Sequence, residues 1–293
     1  MGERIVFALF RLLALLPLPL SHAIGKLLGL IFFLLPNAHR RISARNIQLC
    51  FPGLTHWQRL NLLRCSLEET GKTILEVPLI WCGSRQRVMG LVKQKSGEEA
   101  VRATMDSGRG MIAVSPHIGC WEMSGLYLSN HYDITSMYRP PRYHSLAAAM
   151  RNGRERLGAH LVPTDASGIK LLMQALKQGK MIGVLPDQDP RDTGGVFAPF
   201  FGIPANTMTL LPKFAQKSGA AVIYCFAERL SWGRGFHLHF ITAPEAGNSD
   251  MTVAATAVNA AVEECIRLAP AQYQWSYKRF RTRPAGETSL YRK

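Results

Sequence analysis

This sequence predicts an α/β fold, with helices packed on a largely parallel sheet, and three observations predict it. From about residue 110 onward, short apolar runs of strand length alternate with longer amphipathic ones, as expected of strands joined by helices. Residues 41–82 carry apolar positions at helical spacing. Ahead of them, residues 5–20 and 27–35 form two apolar runs, and Arg11 and Lys26 are the only Lys, Arg, Asp or Glu residues between 5 and 35. At 293 residues the chain can bury one substantial core. No internal repeat, low-complexity tract or linker divides it, so two segments are expected: 1–36 and 37–293, the latter with a helical lead-in over 37–90.

Taken in order, the apolar N-terminus reads as a membrane anchor. A spanning helix needs about 20 apolar residues, and Pro17 and Pro19 interrupt the first run. Two arrangements fit: one kinked span, or two short helices dipping into one leaflet. A cleaved signal peptide fits less well, because no small-x-small site precedes a polar start; a buried soluble helix pair is the remaining alternative. His39, Arg40, Arg41 and Arg45 follow at once and suit a cytoplasmic, anionic leaflet, here the inner face of a bacterial plasma membrane.

The helical stretch 41–82 is expected to break at Phe51-Pro52-Gly53 and at Pro78. Strands are expected at 111–115, 134–138, about 161–164, 181–186, near 220–227 and at 236–242. Helices are expected at about 119–130, 144–157, 168–178, near 207–217 and at 251–268. The basic end, 278–293, reads as a surface segment.

Hydrophobic residues make up 47% and charged residues 19% of the chain, which excludes a disordered protein. The net charge of +15, from 35 Lys+Arg against 20 Asp+Glu, favours an anionic partner: nucleic acid, membrane surface, or an acidic protein or substrate. Six cysteines form no C-x-x-C pair and read as reduced thiols of a cytosol-facing protein. His237 and His239 alternate in a strand and supply half a metal site at most, so no metal or other cofactor is expected. The absence of G-x-S-x-G argues against a serine lipase or thioesterase. A basic membrane- or nucleic-acid-binding protein would need a basic stripe with interleaved aromatics, and only YQWSYKRFRTR near the C-terminus resembles one.

VSPHIGCWEMSG places His117 just after a strand, at the carboxyl end where α/β folds bind ligands. Glu122 follows five residues later. On one regular helix the two would stand about 140° apart, so they converge only if His117 lies in the turn and Glu122 in the first helical turn. A carboxylate on one imidazole nitrogen then leaves the other as a base. Without its context, the same pattern is a helix-capping His beside an unrelated Glu.

These residues carry a resemblance. RNIQLCFPGL (45–54), PHIGCWE (116–122), MYRP (137–140), LPDQDP (185–190), GGVFAPFFGIPANT (194–207) and APAQYQWSYKRFRTRP (269–284) together resemble the bacterial lipid A biosynthesis (lauroyl/myristoyl) acyltransferases, within the lysophospholipid acyltransferase superfamily, over almost the full length. The resemblance implies a glycerol-3-phosphate-acyltransferase-like fold, residues 37–293 as the acyltransferase domain, and transfer of a fatty-acyl group from acyl carrier protein to a hydroxyl of a lipid A precursor. It implies His117 as general base assisted by Glu122, and an essential arginine at Arg154, with Arg156 competing. Arginine suits a phosphate or a developing oxyanion. Arg139, Arg156, Asp187, Asp189, Arg191, Phe200 and Phe201 are the substrate-binding candidates. In LPDQDPRD, Asp187, Asp189 and Asp192 beside Arg191 can orient a sugar or a basic catalytic residue; a calcium loop is the rival, disfavoured by its short spacing and Pro190. Phe200 and Phe201 can line an acyl tunnel or belong to the core, and the two readings are not exclusive. Another glycolipid or aminolipid acceptor is the nearest rival function.

Overall fold

The computed structural model describes residues 2–139, 144–191 and 194–291. Five helices come first: α1 (Gly2–Ala14), α2 (Leu18–Leu34), α3 (Ala38–Cys50), α4 (His56–Cys82) and α5 (Arg85–Met89). Strands and helices then alternate through β1 (Val92–Ser96), α6 (Glu98–Asp106), β2 (Met111–Val114), α7 (Trp121–His131), β3 (Ile134–Tyr138), α8 (His144–Glu155), β4 (His160–Pro163), α9 (Ala166–Lys177) and β5 (Met181–Val184). A hairpin, β6 (Gly195–Phe200) and β7 (Ile203–Met208), precedes α10 (Leu210–Ser218), β8 (Ala221–Arg229), β9 (Phe236–Thr242) and α11 (Met251–Leu268).

Seven strands form one sheet in the order β1-β9-β8-β2-β5-β3-β4. β8, β2, β5, β3 and β4 run parallel; β9 is antiparallel to β8, and β1 is parallel to β9. The α/β class with a mostly parallel sheet is therefore as expected. β1 and α6 escaped the sequence reading because VKQKS is polar and almost wholly exposed, an edge strand without an apolar signature. Residues 203–208 form a strand where a helix start near 207 was expected, because they pair with β6 from Phe200↔Ile203 to Gly195↔Met208.

The expected break at Pro78 does not occur: α4 runs unbroken over 27 residues. Proline forfeits one backbone bond, but Pro78 is buried where α4 packs. The helix is started by a capping box, with Gln58 N donating to Thr55 Oγ1 and Thr55 N donating to Gln58 Oε1. Its length lets it serve both faces of the sheet. Leu63 and Leu67 join the layer of α3, α9, α10 and α11; Leu79, Ile80 and Trp81 join the layer of α6 and α7.

At the N-terminus, no single helix among the described residues is long and apolar enough to cross a membrane; α1 and α2 meet at a bend of 113°. α2 lies against α4 through a glycine seam. A Cβ at Gly71 would stand 2.0 Å from Gly25 O, and one at Gly29 would stand 2.3 Å from Glu68 Cα, so only glycine permits this approach. The opposite side of α2 exposes Leu20, Ile24, Leu27, Ile31 and Leu34.

The C-terminal segment is the expected surface segment only in part: Arg281 and residues 285–288 are exposed, but two residues are buried. Arg279 is 2% exposed and Phe280 is fully buried. The Arg279 guanidinium donates to Asn206 O, Thr207 Oγ1 and Asn259 Oδ1 and stacks over Phe200 at 5.2 Å, so neutral acceptors and a ring face hold its charge inside. Asn46 of α3 ties the segment down, donating to the carbonyls of Trp275 and Tyr277 while accepting from Tyr291 OH.

Candidate active site

His117 lies just beyond the carboxyl end of β2, in the turn that leads into α7. Its carboxylate partner is Asp187, beyond the end of neighbouring β5. Nδ1 stands 2.8 Å from Asp187 Oδ1, and the His117 amide donates to Asp187 Oδ2 at 3.0 Å. Burial alone would raise the Asp187 carboxyl; the His117 charge and hydrogen bonds overcome it and hold it below the ordinary carboxylate value. A proton on Nδ1, donated to Asp187, leaves the Nε2 lone pair as acceptor, and the Gln188 amide lies 3.2 Å from Nε2. Trp121 packs edge-on against the imidazole at 5.2 Å.

Glu122 stands in the first turn of α7, as expected, but its hydrogen bonds go elsewhere than to His117. Its two oxygens take the fork of Arg154 from α8, with Nε at 2.9 Å from Oε2 and Nη2 on Oε1, and Oε2 also accepts from Trp81 Nε1 at 3.0 Å. Burial opposes the charged form, and Arg154, Trp81 and His117 nonetheless lower the Glu122 pKa. The site is thus two coupled pairs, His117–Asp187 and Glu122–Arg154, rather than one His–Glu pair.

The geometry separates the two candidate arginines. Arg156 turns away and donates to the carbonyls of Ile80 and Gly83, closing the C-terminus of α4. Arg139 is exposed at the end of β3. Asp189 is committed to structure: it accepts from Arg191 N, Asn206 Nδ2 and Thr282 N. Arg191 holds a left-handed backbone, φ 56°, and its side chain is exposed; Asp192 lies outside the described residues.

Beside the two pairs opens an apolar cavity with about 740 Å³ of empty space, its mouth included. Ala113, Gly183 and Ser136 are in register across β2, β5 and β3 and form its floor; Trp81, Trp121 and Leu126 are among its walls, with Glu122 and Arg154 as its charged rim. Phe200 and Phe201 do not line it. Phe200 is 1% exposed in the opposite layer, and Phe201 packs on Phe51 and Trp275. Both therefore pack with the core of that layer.

Sequence reasoning missed Trp81 and Gln188. Gln188 stood inside the LPDQDP block that drew attention, whereas nothing local marks Trp81, 41 residues from its partner. It also missed a third partner for His237 and His239: Glu228 bonds His239 at 2.8 Å, while His237 bonds Ser96 at 2.8 Å.

The profile of the bacterial lipid A biosynthesis acyltransferase family matches residues 2–282. The chain is 28% identical over 279 residues to the lipid A biosynthesis lauroyltransferase of Escherichia coli (strain K12), covering 94% of this chain and 90% of that one. It is 29% identical over 292 residues to a lipid A biosynthesis acyltransferase of Haemophilus influenzae, covering 97% and 92%. A phosphatidylinositol mannoside acyltransferase of Mycobacterium tuberculosis matches at 27% over 179 residues, 59% of this chain and 56% of that one.

Proposed function

The chain belongs to the bacterial lipid A biosynthesis acyltransferase family, and from that premise we propose that it moves a fatty-acyl group from acyl carrier protein to a hydroxyl of a lipid A precursor, with His117 as general base. The carrying observation is an imidazole fixed at Nδ1 by a buried carboxylate and packed on Trp121, which lines an apolar cavity suited to an acyl chain. The acceptor hydroxyl belongs to a 3-hydroxyacyl chain already on the precursor, so the product is an acyloxyacyl group.

His117 Nε2 takes the hydroxyl proton as the oxygen attacks the thioester carbonyl carbon. A C–O bond forms, and the carbonyl π pair moves to oxygen. As this tetrahedral species collapses, the C–S bond breaks and the imidazolium returns the proton to the leaving thiolate. Asp187 keeps the imidazole in the Nδ1–H tautomer and stabilises its charged form. Arg154, steadied by Glu122, supplies positive charge for an acceptor phosphate or the developing oxyanion. Gln188 holds the base nitrogen until the hydroxyl displaces it.

The proposal places the enzyme at the cytoplasmic face of the inner membrane. The exposed apolar stripe of α2 and the glycine seam to α4 favour insertion into one leaflet, with the helix carried on residues 37–293 rather than apart from them. Full-length protein should float with anionic vesicles, and Leu27→Asp with Ile31→Asp should abolish flotation while sparing activity on detergent-dispersed acceptor. Protein that stays unbound to vesicles without detergent contradicts this placement. The net charge of +15 favours an acidic carrier protein as donor, with kcat/KM above that for the matched acyl-CoA and falling more steeply with salt.

The partial match to a mannoside acyltransferase favours another glycolipid acceptor as the second reading. Mass spectrometry of lipid A from cells with and without the gene separates the two by the mass of one acyl chain. Purified His117→Ala should fold and lose about 10²–10⁴-fold in turnover. Near-native turnover would sink the mechanism.

A further inference from the structure

Three ionisable side chains that the mechanism leaves unused are buried together. His22 on α2, Glu76 on α4 and Arg229 at the end of β8 are each 5% exposed or less. His22 Nε2 lies 2.5 Å from Glu76 Oε1, and Arg229 forks onto Glu76 with Nε and Nη2 both at 2.8 Å. Arg229 also reaches Thr73 Oγ1 at 2.7 Å and Glu69 Oε2 at 3.3 Å. Its Nη2 shares its two hydrogens among Thr73 Oγ1, Glu76 Oε2 and, at 3.1 Å, the carbonyl of Gly119, two residues after His117 and three before Glu122.

The loop around Gly119 has little freedom of its own. The Gly119 amide donates to Gln272 O, the Cys120 amide donates to Ala227 O, and the Gln274 amide donates to His117 O. Gln272 in turn grips Arg229 through the amide and carbonyl of that residue's backbone. Gly119 sits at φ 59°, where a Cβ would stand 2.0 Å from Ala227 O. If filling space were the only need, apolar side chains would serve here, since buried charge is costly and apolar replacements commonly match it in stability. What the ion cluster adds is direction: a fixed donor aimed at the peptide that separates the two catalytic pairs.

We infer that Arg229, held by Glu76, is a positioning residue that sets His117 and Glu122 relative to one another, and that His22 makes this placement depend on how the apolar helix α2 is seated on α4. The inference rests on the proposed roles of His117 and Glu122. The chain from α2 to the catalytic loop is continuous in hydrogen bonds: His22, Glu76, Arg229, Gly119. Tilting or lifting α2 takes His22 away from Glu76 and frees the carboxylate to rotate off the Arg229 fork. The floor of the cavity, on β2, β5 and β3, lies outside this chain of contacts, so the loss falls more on turnover than on binding.

The test uses the full chain in detergent micelles, with His117→Ala as control. Arg229→Lys keeps a cation for Glu76 but gives up the fork; kcat should fall about a hundredfold, the cost of an ångström-scale misplacement. His22→Leu should lower kcat about tenfold and His22→Gln should restore most of it, with KM for the acyl donor within about twofold in all three. If Arg229→Lys does not fold, the His22 pair decides alone. Unchanged kcat per folded enzyme in His22→Leu, or equal kcat in His22→Leu and His22→Gln, overturns the inference. An active His117→Ala instead overturns the proposed mechanism, so the two failures remain distinct.

Discussion

The two faces of the sheet are built from alternate residues of the same strands, and they differ in what those residues are. Toward α9, α10 and α11, β2, β5 and β8 point Ile112, Val114, Ile182, Val222, Tyr224 and Phe226, and the space above them is filled by Phe200, Phe214, Trp275 and Phe280. Toward α7 and α8 the same strands present Ala113, Gly183 and Cys225, which line the cavity. One residue of register separates a packed aromatic core from the side that holds the apolar cavity. A cavity beside His117 and Glu122 thus needs no special loop; small residues on one face of three strands suffice.

The largest effect expected from this contrast is on the filled face. Phe226→Ala removes a fully buried ring and should cost about 3–5 kcal/mol in denaturant unfolding, with turnover per folded enzyme little changed. A cost below about 1 kcal/mol would mean the filled face is not close-packed.

On the hollow face the sign should reverse. Gly125 of α7 lines the cavity, and among the described residues a Cβ there would meet nothing within 4 Å. Gly125→Leu should leave stability unchanged or raise it by up to about 1 kcal/mol, since glycine weakens a helix. It should also shift donor preference to shorter chains, by about fourfold per excluded methylene. An unaltered chain-length profile would show that acyl chains bind elsewhere.

A smaller effect separates the faces by pH. Burial alone would raise the Glu76 carboxyl, but the charge of Arg229 and the hydrogen bonds of His22 and Arg229 hold it at about 2 against an ordinary 4.5. A depressed carboxylate contributes stability that is fully present above the unfolded value and is lost as pH falls through the folded one. The loss therefore lies between about 4.5 and about 2. Stability measured across that window should fall more steeply in the native protein than in Glu76→Gln. Parallel slopes would show that Glu76 is not held ionised.

Much of this was legible locally. Alternating apolar runs located β3, β9 and α11 at their observed ends, because a half-buried strand or helix repeats its apolar side with a fixed period. His117 and Glu122 were legible as residues of a strand-to-helix turn. Where local pattern failed, the reason was tertiary: polar β1 is a strand because β9 offers it an edge, and Arg279 is buried because three distant acceptors surround it.

By itself, then, the sequence determined the α/β class, most of the alternating strands and helices after residue 110 and the turn that carries His117, all set by short-range periodicity and backbone chemistry. Only the tertiary structure decided which carboxylate meets which partner. Asp187 reaches His117 across 70 residues, Arg154 reaches Glu122 across 32, and Arg229 reaches Glu76 across 153. Hydrogen bonds act over about 3 Å, and pairings at such separations are set by how strands are ordered in the sheet, which no spacing along the chain records.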